Sequence, residues 1–215
     1  TLVEAKAPTA TEKGNNAYYT CSGCYGVYLD AAASQMTKVA DETLPKLSDN
    51  TCGDNLTWAV DENGTLTISG TGAMTDYAYS PRAPWYGYRT RITAVVAEAG
   101  VTSIGSFAFN DCSHITTVTL PAELTAVGNY AFDGCTGLTD VAYNGRIADW
   151  KNITIALHND PLLNAAIHYM PGHAHELTKV NAVVSCTEAG VAEHYACDIC
   201  GALFADAEGT EPATG

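Results

Sequence analysis

The chain carries eight cysteines, at positions 21, 24, 52, 112, 135, 186, 197 and 200. Four of them make two Cys-x-x-Cys pairs, Cys21/Cys24 and Cys197/Cys200, near opposite ends. That spacing serves three chemistries: a structural metal, a redox couple or a tight disulfide. Near the second pair, His175, Cys186, Cys197 and Cys200 offer four donors, the number a closed tetrahedral zinc site needs. Gly201 follows the pair directly, as suits a knuckle whose amides point at sulfur. His173 and His194 are rival ligands. The first pair offers only Cys21 and Cys24, with no histidine before them. In an oxidising compartment either pair would equally make a disulfide. Structural zinc, a disulfide and free thiols therefore all stay open. A redox couple is disfavoured. Its reactive thiol sits at a helix start, and the Tyr-, Phe- and Gly-rich surroundings of Cys197 do not open a helix.

Other candidates have plainer readings. Cys112 and Cys135 are 23 residues apart and read as a stacked column of buried thiols. Side chains that point the same way fit disulfide geometry poorly. Cys52 lacks a clear partner in the sequence. The aromatic run Tyr77, Tyr79, Trp85, Tyr86 and Tyr88 lies in a segment with Pro81 and Pro84. Exposed, it would form a platform for stacking sugars; packed, it would cap an apolar end, and the cap is the favoured reading. His114, His158 and His168 have no partners at ligand spacing. No Gly-x-Ser-x-Gly elbow, His-Glu-x-x-His pair or phosphate-cradling glycine loop is present. Carboxylates are scattered, mostly in turns. The sequence thus assigns no catalytic residue and reads as non-enzymatic.

The elements that position these residues come from two internal repeats. In the first, Ile92, Ile115 and Leu138 are 23 apart, as are Val95, Val118 and Val141. Val101, Leu124 and Ile147 hold the same spacing, as do Ile104, Val127 and Trp150, and Phe109, Phe132 and Ile155. The stretch 115–120 is β-branched and alternating, hence a strand. One turn cannot bury its own apolar face, whereas stacked turns share a column of Ile, Val and Phe. The spacing predicts a short solenoid of 23-residue turns. A hairpin of 56–60 and 65–68, joined at Asn63-Gly64, would open it. An irregular strand near 166–169 would close it.

The second repeat links the ends. Residues 3–28 and 180–204 share Val-x-Ala, Thr-Glu-x-Gly, Tyr-x-Cys-x-x-Cys and a following aromatic. His173 and His175 precede the second copy; the first begins too late to show the matching positions and reads as truncated. The chain divides into 1–49, a small Cys-x-x-Cys unit, 50–170, the solenoid with its caps, and 171–215, the second small unit. The expected class is mainly β, with the end units as small zinc-ribbon-like β units.

Composition limits the partners. The 215 residues include 10 Lys+Arg against 24 Asp+Glu, for a net charge of -14. Nothing here would replace counterions along a phosphate backbone, so nucleic acid is excluded. An anionic membrane surface is disfavoured for the same reason, and no apolar run is long enough to cross a bilayer. With 47% hydrophobic and 16% charged residues, the chain is not an acidic disordered tail.

VTSIGSFAFNDC and LTAVGNYAFDGC, each followed by a strand, carry a family resemblance. With them, residues 52–169 resemble the BspA-like leucine-rich repeats of bacterial surface proteins. ISGTGAM with APWYGYR is similar to that family's opening cap, and ADWKNITI with LLNAAIHY to its terminal piece. The end units resemble a short Cys-x-x-Cys repeat that accompanies such solenoids. The resemblance implies an extracellular or wall-attached, multi-modular protein at the bacterial cell surface. Its implied role is binding or adhesion, to a protein or glycan of a host or neighbouring cell, and it supplies no catalytic residues. A purely structural stalk and a carbohydrate-binding module using residues 77–88 are the alternatives. The segment is expected to be monomeric, with structural zinc as its only candidate cofactor.

Overall fold

The computed structural model describes residues 1–8, 12–22, 27–37, 43–44, 50–170, 172–182, 193–207 and 212–213. The first unit contains short strands β1 (Leu2–Val3), β2 (Gly14–Asn15), β3 (Tyr18–Thr20), β4 (Val27–Tyr28), β5 (Met36–Thr37) and β6 (Thr43–Leu44). Four form an antiparallel sheet in the order β1-β3-β4-β5, and β2 pairs with β6.

The solenoid opens with β7 (Thr51–Gly53), β8 (Leu56–Val60) and β9 (Thr65–Gly70), all antiparallel. Between β8 and β9, Asp61 and Thr65 are still bonded, so residues 62–64 make the loop. Asp61 Oδ1 accepts the amides of Asn63 and Thr65, and Gly64 takes φ +83°, a conformation most side chains resist. The turns then follow as β10 (Gly72–Ala73), β11 (Ala94–Ala97), β12 (Val101–Ile104), β13 (Thr117–Leu120), β14 (Ala126–Val127) and β15 (Asp140–Tyr143). After these come α1 (Ile147–Trp150), β16 (Thr154–Ile155), α2 (Asp160–Asn164) and β17 (Ala166–Tyr169).

Each turn gives one strand to each of two sheets. The large sheet runs β17-β15-β13-β11-β9-β8-β7, parallel from β9 onward, and the small one β10-β12-β14-β16. Alternation decides which side is buried. Val95, Val118 and Val141 stand in register and point inward with Ala97, Leu120 and Tyr143. They meet Val101, Ile104 and Val127 of the small sheet, and Phe109, Phe132, Cys112 and Cys135 fill the same core. The glycine of each Ile-Gly or Val-Gly motif lets successive turns touch. A Cβ on Gly105 would lie 1.9 Å from the Thr75 carbonyl oxygen, and one on Gly128 2.4 Å from the Ser106 amide nitrogen. β17 closes the stack at 166–169, as the sequence pattern predicts.

The third turn departs from the 23-residue reading. Ile155, expected beneath Phe132, pairs in register with Val127. Ile147 and Trp150, expected beneath Leu124 and Val127, instead lie in α1, which takes up extra residues ahead of β16. Trp150 remains useful to the core by packing edge-on against Tyr143 at 5.2 Å.

The second end unit is β18 (Leu177–Val180), β19 (His194–Cys197) and β20 (Leu203–Phe204), an antiparallel sheet. Its register repeats that of the first unit. Val3 faces Tyr18 and Tyr19 faces Tyr28; correspondingly, Val180 faces His194 and Tyr195 faces Phe204. The unit also bonds to the solenoid. The Ile147 amide donates to the Ile199 carbonyl at 2.8 Å, and Arg146 pairs with Glu176 at 2.9 Å.

Candidate functional site

Four side chains converge where the last solenoid strand leads into the second end unit. His173 and His175 lie between β17 and β18; Cys197 ends β19, and Cys200 lies in the turn after it. One donor atom from each lies within 4.8 Å of the others. Cys197 Sγ is 3.5 Å from His173 Nε2, and Cys200 Sγ is 3.8 Å from His175 Nδ1. The turn is a knuckle. The Gly201 amide donates to the Cys197 carbonyl at 2.8 Å, with Gly201 at φ +75°. The residues around Cys197 are strand and turn, not a helix start.

The electrostatics favour a thiolate at Cys197. Burial works against ionisation, but the amides of Cys200 and Ile199 and the imidazoles of His175 and His173 outweigh it, bringing this thiol down to about 6. Burial and the neighbouring Cys197 push the Cys200 thiol up. Desolvation opposes the charged form of His173, but the Cys197 sulfur and the Met170 carbonyl overcome it and raise its pKa.

Of the expected ligands, the structure brings together His175, Cys197 and Cys200, with His173, a rival in the sequence reading, as the fourth member. Cys186 and Cys24 lie outside the described residues. His194 sits on β19, away from the cluster. Cys21 follows β3, at the position equivalent to Cys197.

Most of the aromatic run is packed, in line with the favoured cap reading. Trp85 is fully buried, donates Nε1–H to the Ala108 carbonyl at 2.7 Å and stacks on Phe109. Tyr88 is buried beside Trp58, and Tyr77 packs edge-on to Trp85. Tyr86 and Tyr79 clasp the Arg82 guanidinium at 4.2 and 4.0 Å. Only Tyr79 of the five is largely exposed. An apolar solenoid end must be covered, and these rings cover it. Cys52, Cys112 and Cys135 are buried and unbridged, and the Cys135 thiol donates to the Phe109 carbonyl at 3.1 Å.

The sequence profile of the BspA type leucine rich repeat region matches residues 86–157. Those residues, inside the described solenoid, are similar to that repeat region. A leucine-rich repeat protein from Eubacterium ventriosum is 38% identical over 44% of this chain and 25% of its own, with a TM-score of 0.42. A leucine rich cell surface protein from Faecalibacterium prausnitzii is 18% identical over 50% of this chain and 42% of its own, with a TM-score of 0.27. A leucine rich repeat protein from T. pallidum is 20% identical over 56% and 50%, with a TM-score of 0.25. The chain thus spans between a quarter and a half of the lengths of these three structures. No curated protein matches it.

The solenoid presents an open face on its large sheet. Thr67, Val96, Thr119, Ala142 and His168 stand in one register row, and Thr65, Ala94, Thr117, Asp140 and Ala166 in another. All are partly or fully exposed. At the edge of this face, the hydroxyls of Thr116 and Thr139 donate to the carbonyl of the equivalent residue one turn earlier, at 3.2 and 3.3 Å. The titratable side chains on these rows are Asp140 and His168, 2.9 Å apart. Convex to the core, Phe107, Tyr130 and His158 stack at 4.8 and 4.1 Å, all with positive φ. The sequence reading missed this stack because His158 follows Tyr130 by more than one 23-residue period. No helix among the described residues is long and apolar enough to cross a membrane.

Proposed function

We propose that the chain is a non-enzymatic binding segment of a multi-modular bacterial surface protein, working outside the cell. The large-sheet face carries this reading. Its two rows of small, nearly uncharged side chains are held in register on parallel strands. Such a face is flat and rigid and loses little side-chain entropy when covered. Its partner is an extended protein or glycan surface, since the net charge of -14 repels polyanions. The buried solenoid thiols are held protonated and serve packing, not nucleophilic chemistry. The His/Cys cluster is structural within this reading.

Binding of the purified chain to a glycan array and to immobilised mucin and extracellular-matrix proteins tests the proposal. Binding to at least one probe is expected. It should be lost in a Thr119→Arg, Ala142→Arg double variant and kept in Thr125→Arg, just before β14 of the opposite sheet. No binding to any probe would favour a spacer that carries a binding domain elsewhere. Binding that survives the double variant would move the site off this face.

A further inference from the structure

We infer that His173, His175, Cys197 and Cys200 form a closed tetrahedral zinc site that pins the C-terminal unit to the end of the solenoid. The inference is independent of what the strand face binds. Zinc takes sulfur at about 2.3 Å and nitrogen at about 2.0–2.1 Å, so adjacent S and N ligands of a tetrahedron lie ~3.6 Å apart. The observed S···N separations of 3.5 and 3.8 Å match that edge. Two imidazoles and two thiolates suit zinc and not calcium or magnesium, which take oxygen. Four protein donors leave no open position, which marks a structural ion.

The surroundings are arranged for a ligand set. His173 Nδ1 lies 2.8 Å from the Met170 carbonyl. With the proton on Nδ1, donated to that oxygen, the Nε2 lone pair faces Cys197 Sγ, an outer-shell bond of the kind that fixes metal-bound histidines. A cleft of about 530 Å³ lined by His168, Tyr169, His173, Cys200 and Gly201 gives the ion a path from solvent.

The energetic need is plain. The described core of the C-terminal unit holds only Cys197, Ile199 and Phe204 as buried apolar residues, and so small a core requires a staple. All four ligands lie within 171–215, but each pair is tied to the solenoid. His173 hydrogen-bonds to Met170, whose own amide donates to Tyr143 of the solenoid at 2.7 Å. The cysteines flank Ile199, whose carbonyl accepts the Ile147 amide. An ion held by both therefore closes the junction.

X-ray absorption at the zinc edge, on the full chain purified reduced with zinc present and then dialysed, tests this directly. One zinc per chain with two sulfur and two nitrogen neighbours is expected. Three sulfurs and one nitrogen would put Cys186 in place of His173 and overturn the ligand set. Less than a tenth of an equivalent of zinc, with Cys197 and Cys200 oxidised, would overturn the site altogether. Variants give a second readout. Cys186→Ser should keep one equivalent, while His173→Ala should retain at least ~10-fold less zinc against a competing chelator. The reverse pattern would refute the proposal. All three tryptophans, Trp58, Trp85 and Trp150, lie in the solenoid, so their near-UV dichroism shows whether each variant keeps that fold.

Discussion

Phe132 donates its backbone amide to the side chain of Asn159, with N and Oδ1 3.0 Å apart. One turn earlier, the Phe109 amide donates to the backbone carbonyl of Ala131, on the next turn. The phenylalanine column ends at Phe132, and the Asn159 side chain stands in for that carbonyl. It is nearly fully buried and also donates Nδ2 to the carbonyls of Gly128 and Ala156, both at 2.9 Å. Asn159→Ala removes the acceptor and strands a buried amide, which costs about 1–3 kcal/mol. Urea unfolding should show a lowered midpoint of that size, and an unchanged midpoint would mean that water replaces the side chain.

Gly128 makes a steric prediction. Any Cβ there meets the Ser106 amide nitrogen at 2.4 Å, and backbone cannot swing aside as a side chain does. Gly128→Ala should therefore destabilise the solenoid by about 1–3 kcal/mol through overpacking. In an ordinary exposed strand the same change would be neutral or stabilising. A urea midpoint equal to or above that of the parent chain would contradict the close approach.

These two residues show what sequence reasoning reaches. Gly128 sits in a motif that repeats every 23 residues, so its importance is legible even though the contact is not. The same periodicity places Val95, Val118 and Val141 on one strand face, because regular repetition demands a regular stack. Asn159 belongs to no column, since it acts where repetition stops. The third turn was misaligned for a related reason. Ile147, Trp150 and Ile155 preserve an apolar 23-residue spacing while α1 shifts the true register. At the His/Cys cluster, the Cys-x-x-Cys spacing exposed Cys197 and Cys200. His173 joins them through its 3.5 Å approach to Cys197 Sγ, a tertiary contact without a sequence signal.

Thiol chemistry should divide by depth. Burial pushes the Cys52 and Cys112 thiols up to about 12, and Cys135 is pushed up as well. Unfolded thiols ionise near pH 8.5. Above that pH the folded chain holds protons that the unfolded chain has released, so stability falls as pH rises. The urea midpoint should decline above about pH 8.5. Iodoacetamide at that pH should leave Cys52, Cys112 and Cys135 unlabelled until urea unfolds the chain. Peptide mass spectrometry reads the result, and native labelling of Cys112 would refute its burial.

Asp140 and His168 test whether their hydrogen bond on the strand face contributes to the fold. The hydrogen bond from His168 holds the Asp140 carboxyl below its ordinary value, so any stabilisation is present above the unfolded carboxylate pKa and fades as pH falls through the folded one. Both side chains are about half exposed, and solvent screens such pairs almost completely. Asp140→Asn should leave the urea midpoint at neutral pH unchanged within error. A clear drop would show that the pair helps lock β15 to β17.

Trp85 and Tyr79 separate cap from surface within one aromatic run. Trp85 is fully buried, hydrogen-bonded to Ala108 and in ring contact with Trp58, Tyr77 and Phe109. Trp85→Ala opens a large cavity at the solenoid end and should cost about 3–5 kcal/mol. Tyr79 is 62% exposed and presents its ring face to Arg82. Tyr79→Ala should cost no more than about 1 kcal/mol. Chemical denaturation of the two variants checks the ordering, and equal costs would place Trp85 outside the core. The ordering also governs how binding data must be read. Ligand binding lost in Trp85→Ala would report a loosened solenoid, whereas binding lost in Tyr79→Ala with an unchanged midpoint would report a surface contact.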